Sequence, residues 1–248
     1  MFDWLFPPRC PCTPHEKDWL EDRLHWLWGE FDDNIFNGRK LILPTKEFFP
    51  VPIEKTKRGA EKLFLQVCGY MDVQPELIEL DFFDTTNHVY LVNDSGDYLP
   101  AMVGSYSEGD DQFQIRLDVQ QLENPMVMVG TIAHELAHVR LLGEGRYDGD
   151  AYDNELLTDL TVVFLGLGIF LANVPRSVES IATYWPDTNA KKPEYMTESM
   201  YGYALAHLAW FQNEKRPAWA QEIYWNTRME FYQGLRYLRK TGNSTFRN

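Results

Sequence analysis

The chain has 248 residues and a formal net charge of −14, with 44% hydrophobic and 15% aromatic residues. This composition supports the packed core of one large globular domain or two small ones. The acidity argues against nucleic acid or an anionic membrane as principal partner, because both require a basic footprint.

From the start of the chain, Met1 to Phe6 lacks a basic stretch and its apolar run is broken by Asp3 and Pro7, so no secretory signal is expected. Three cysteines, with Cys10 and Cys12 separated only by Pro11, do not make a disulfide framework; a reducing cytoplasm is the expected compartment. Cys10, Cys12 and His15, with Cys68 as a further donor, offer the ligand types of a structural zinc site. Against this, Thr13-Pro14-His15-Glu16 reads as a capping box with proline at the first helical position, which leaves His15 on a helix surface. The helix should run to about Phe31, with Leu20, Leu24, Leu27, Trp28 and Phe31 on one face and His25 an ordinary, partly buried histidine.

Residues 41–52, with prolines and paired phenylalanines, predict an irregular loop. Ala60, Leu63, Phe64 and Val67 then recur at helical spacing from Lys57 to Cys68, ended by Gly69, with Cys68 on the apolar face. From Leu77 to Leu117 the pattern changes to strands: 78–83, 88–92, 102–106 and 112–117, separated by turn-forming polar residues. Together these predict a small, mostly antiparallel sheet.

Asn124 suits an N-cap, Pro125 a first helical position and Gly143 a stop, bracketing a helix that carries His134-Glu135-Leu136-Ala137-His138. Residues four apart share a helix face, so two imidazoles can meet one zinc ion, and Glu135 is placed to reach a water on it. Val129, Ile132, Ala133, Leu136 and Ala137 would face a core. A second helix should begin at Asp153 or Asn154, either able to cap it, and continue through Ile169 until Pro175. Glu155 in its first turn is favoured as the ionised carboxylate that a metal ligand must be. Asp159, one turn on, is suited to accept the free N–H of a ligand histidine. The uncharged run Leu160 to Val174 is short for a membrane span and is expected to be a buried core helix.

Over residues 124–170 this pattern resembles the gluzincin class of zinc metallopeptidases, in which HExxH is followed by a glutamate ligand on a second helix, often within ExxxD. The resemblance implies Zn2+ held by His134, His138 and Glu155, with Glu135 as general base and Asp159 as the partner of a ligand histidine; Glu155 against Asp159 as third ligand stays open. The metzincin extension HExxHxxGxxH is not met, since Leu141 and Glu144 stand at its glycine and third-ligand positions. The resemblance also implies that strand 112–117 borders the cleft as an edge strand, where an extended peptide substrate adds by strand pairing.

The loop 144–153 carries Asp148, Asp150 and Asp153; it does not match a calcium loop and reads as a solvated segment. Beyond residue 193, Met200 to Phe211 and Ala218 to Leu238 predict two helices, with Gly202 and Gly234 allowing close approach. Tyr203 and His207 share a face there; some gluzincins use a histidine or tyrosine in this part to stabilise an oxyanion, a catalytic role for His207 that stands beside that of a core histidine.

The expected fold is α+β and zincin-like: an N-terminal α+β lobe with an edge strand, 1–123, and a helical lobe, 124–248, carrying the zinc motif, the two expected to make one compact unit. The expected function is hydrolysis of peptide bonds in a peptide or protein substrate, with no nucleic acid or membrane partner. The alternatives are a non-catalytic zincin-like regulatory or peptide-binding protein that keeps the metal, and a helical interaction module whose motif is incidental.

Overall fold

The computed structural model describes residues 7–83, 104–108, 112–174 and 183–247, which form a mixed α+β architecture. The chain divides into two compact units: one of residues 44–151, the other of residues 1–43 joined with 152–248. The expected cut between residues 123 and 124 grouped the HExxH helix with the C-terminal helices. The fold instead keeps that helix in one unit with the sheet.

The 44–151 unit holds helix α2 (Lys57–Met71), strands β1 (Ile78–Phe83), β2 (Gly104–Glu108) and β3 (Phe113–Asp118), and helix α3 (Pro125–His138). Thr56 caps α2 by accepting the Gly59 N–H at 3.1 Å. The helix passes through Gly69, where the sequence pattern predicts a stop, because its apolar face continues to Met71; Asp72, at φ 55°, takes the left-handed turn instead.

The sheet order is β1-β3-β2, with β1 parallel and β2 antiparallel to β3. Two expectations change. The described sheet is mixed, since alternation identifies a strand but says nothing of its partner's direction. And β3, expected at the edge, is central: its ladder groups are taken on both sides, leaving no room for a peptide there. The predicted strand 88–92 lies outside the described residues.

The other unit holds α1 (Pro14–Glu30), α4 (Asn154–Phe164), α5 (Gly168–Ala172), the short strands β4 (Thr183–Tyr184) and β5 (Lys191–Lys192), α6 (Glu198–Phe211) and α7 (Trp225–Thr241). The capping box of α1 is present: the Thr13 N–H donates to Glu16 Oε2 at 2.8 Å, and the Glu16 N–H to Thr13 Oγ1 at 3.4 Å. Leu20, Leu24, Leu27 and Phe31 are buried as expected, whereas Trp28 is 40% exposed, and His15 and His25 lie on the surface.

The helix expected to run unbroken from Asn154 to near residue 174 is two helices. Gly166, at φ 97°, turns the chain between them, and a Cβ there would stand 2.6 Å from the Lys40 carbonyl oxygen. The carbonyls at the end of α4 and in the turn after it accept from the segment following α1: Ile35 N–H to Phe164, Arg39 Nε to Leu165, and Ile42 N–H to Gly166. Among the described residues no helix is long and apolar enough to cross a membrane.

The two predicted C-terminal helices are α6 and α7, although the second opens with a separate 3-10 turn, Ala218–Glu222. They pack backbone to backbone. A Cβ on Gly202 would meet the Phe231 nitrogen at 2.7 Å, and one on Gly234 would meet the Ala206 Cβ at 3.2 Å.

Candidate metal centre

Asp118 ends β3 and accepts the Gln120 N–H at 3.0 Å, turning the chain through a 3-10 segment into α3. Asn124 occupies the N-cap position, but its side chain makes no capping bond, so Pro125 and tertiary packing set the start. Every residue from Met128 to His138 is buried, not only one apolar face. His134 and His138 are 2% and 6% exposed, with ring centroids 4.9 Å apart and planes at 85°.

Two neighbours that the motif does not announce fix this end of the helix. Tyr106 of β2 stacks on His138 at 5.7 Å and 19°, and is itself backed by Phe113 of β3 at 5.9 Å. Its only signal in the sequence is its place in an alternating strand. Beyond His138 the helix widens into a π turn, Val139–Gly143, and Arg140 Nη1 donates to the Met71 carbonyl at 2.8 Å, tying it to the end of α2.

Glu135 is 4% exposed, yet no hydrogen bond or ion pair joins its carboxylate to another described residue.

Glu155 stands in the first turn of α4. Asp153, expected to cap that helix, makes no cap bond; its carboxylate accepts from Trp19 Nε1 at 2.6 Å and Arg23 Nε at 2.8 Å, pinning the start of α4 to α1. The buried Lys192 is another neighbour with no signal in the sequence. Burial pushes its ammonium below the usual lysine range, against the pull of Asp153, Glu194 and Glu155. Asp159 is 1% exposed, and one of its oxygens accepts the Met196 N–H at 2.9 Å.

One donor atom from each of His134, His138 and Glu155 lies within 4.8 Å of the other two; among the described residues this is the group of three that can hold a metal ion, and it includes Glu155 rather than Asp159. Two imidazoles and a carboxylate match the donor set of an open zinc site.

His207 has a different setting. It is fully buried, its Nδ1 lies 3.0 Å from the Tyr203 carbonyl and its Nε2 3.0 Å from Ser244 Oγ. Burial holds its pKa down at about 4. With both ring nitrogens engaged in the core it has none to offer an oxyanion, so the expected catalytic role is withdrawn. Cys10, Cys12 and His15 do not form a metal-binding group, and Cys68 is a buried thiol pushed up to about 12 by desolvation.

No protein-family model, no curated protein and no solved structure matches this chain.

Proposed function

We propose that this chain is a zinc-dependent hydrolase of peptide bonds, with a zincin-like fold and gluzincin-like chemistry. The observation that supports the reading is the group His134, His138 and Glu155, an HExxH pair and a following carboxylate whose donor types could hold one metal ion. When bound, zinc would acidify a water and polarise the scissile carbonyl. The two histidines serve as neutral ligands, and α3 holds their rings one turn apart. Tyr106 limits rotation of the His138 ring. Glu135 takes a proton from the water and delivers it to the leaving amine, a task suited to a carboxylate that no other described residue engages. Asp159, buried one turn beyond Glu155, positions a ligand histidine. Three free cysteines fit a reducing, cytoplasmic setting.

The test is metal analysis of protein purified without chelator, together with cleavage of a mixed peptide library. Zinc near one equivalent and chelator-sensitive cleavage are expected, with zinc but not cleavage surviving in Glu135→Gln and both lost in His134→Ala. Zinc without cleavage of any peptide would move the reading to a metal-keeping binding protein. Absence of zinc after equilibration with the ion would remove the site itself.

A further inference from the structure

The Cys10-Pro11-Cys12 segment has no part in the proposed hydrolysis, yet it is held in place on every side. Pro11 lies 3.5 Å from where a Cβ on Gly234 of α7 would stand, and the Cys12 thiol donates to the Ser199 carbonyl in the first turn of α6 at 3.5 Å. Directly afterwards the Thr13 capping box starts α1. The sulfurs are treated unequally: Cys12 is buried, while Cys10 keeps partial access to solvent. They also interact with one another. Interaction with the side chain and backbone of Cys12, together with the nearby Lys17 ammonium, lowers the pKa of Cys10 in spite of burial and Glu21. The Cys10 sulfur, followed by burial, Glu16 and Glu230, raises that of Cys12. This is the division of labour of an attacking and a resolving thiol.

We propose that Cys10 and Cys12 form a peroxide-reactive dithiol that closes reversibly to an intrachain disulfide. The oxidant is a hydroperoxide. The Cys10 thiolate attacks its terminal oxygen, the O–O bond breaks, and the alkoxide leaves with a proton as an alcohol, or as water from hydrogen peroxide. Cys10 is now a sulfenic acid. The Cys12 sulfur then attacks Cys10 Sγ, giving up its proton to the departing hydroxide, which leaves as water. Two thiols and one hydroperoxide thus yield one disulfide, one alcohol and one water. Closure across a single intervening residue departs from relaxed disulfide geometry, which makes the bond easy to reduce and suits a reversible modification rather than a structural staple. It also removes the thiol proton donated to Ser199, so the oxidised state loosens the segment from α6.

Hydrogen peroxide on the wild-type full chain is the probe, read by maleimide labelling under denaturing conditions and peptide mass spectrometry. The reduced chain should take a label on each of its three cysteines. Peroxide should remove the labels from Cys10 and Cys12 at least ~10-fold faster than from Cys68, leaving one peptide lighter by two hydrogens and restored by a dithiol reductant. Cys12→Ser should accumulate a dimedone-reactive sulfenic acid at Cys10. In Cys10→Ser, the thiol of Cys12 should keep its label. Wild-type chains that retain all three labels, that join in pairs through Cys10, or that carry sulfinic acid at Cys10 beside an unreacted Cys12 overturn the proposal. So does oxidation of Cys12 in Cys10→Ser at the wild-type rate.

Discussion

Two buried glutamates, each beside histidine, have opposite surroundings. Glu21 of α1 is 1% exposed and accepts from Tyr203 OH at 2.7 Å, Lys17 Nζ at 3.0 Å, and the Thr245 N–H and Oγ1 at 2.8 and 3.1 Å, with His207 Nε2 at 3.9 Å. Glu135 of α3 is 4% exposed, lies between two buried histidines in sequence, and has no such partner among the described residues. A buried carboxylate supplied with donors is a structural element, and its donors depend on it in turn. One with no such partner among the described residues has its oxygens open to a proton-transfer role.

The largest separation of the two should come from Glu135→Gln, which we expect to lower kcat/KM by about 10²–10⁴ while leaving the thermal midpoint and zinc content unchanged. Equal activity in the variant would end the contrast on its functional side. Glu21→Ala should do the reverse, costing about 3–5 kcal/mol in urea unfolding because Tyr203, Lys17 and Thr245 lose their common acceptor, with catalysis per folded molecule intact. If Glu135→Ala proves as destabilising, Glu135 is a structural residue as well.

Acid sensitivity sharpens the same comparison. His207 has its pKa lowered from 6.5 to about 4, so between these values the unfolded chain binds a proton that the folded chain refuses. Stability from this group is complete above pH 6.5 and falls as pH drops toward 4, by up to about 3 kcal/mol. Burial pushes Glu21 up, but the bonds from Thr245, Tyr203 and Lys17 bring it net below its ordinary 4.5, so a further loss follows below that pH. Urea midpoints taken from pH 7 to 4 should decline for the wild type and flatten for His207→Gln.

The smallest effect tests satisfied against unsatisfied groups at helix starts. Thr13→Ala removes a capping bond and should cost about 1 kcal/mol, whereas Asn124→Ala removes none and should stay within roughly 0.5 kcal/mol. Similar losses in thermal melts would show that side-chain capping does not set these termini.

The site was legible in the sequence to the extent that it is local. His134 and His138 are one helical turn apart by spacing alone, whereas Glu155 as third ligand follows from the gluzincin resemblance, with Asp159 as the open alternative. What spacing does not encode is contact between distant segments: Tyr106 over His138, Lys192 beside Glu155, and Asp153 taken by Trp19 and Arg23 rather than by its own helix. His207 shows the same limit from the other side, since helical periodicity put it on a face with Tyr203 but did not reveal that Ser244 and Glu21 close around it.

The sequence by itself determined where α1, α2, α3, α6 and α7 lie, β1, β3, the capping box and the HExxH spacing, because periodicity, turn residues and caps act over a few neighbouring positions. Tertiary structure decided the rest. It placed β3 between two strands, since pairing partners are chosen by packing and not by alternation. It broke the long apolar helix at Gly166, where another segment approaches too closely for any side chain. And it gave one buried glutamate four donors and another none among the described residues, a distinction that depends on which distant groups each meets.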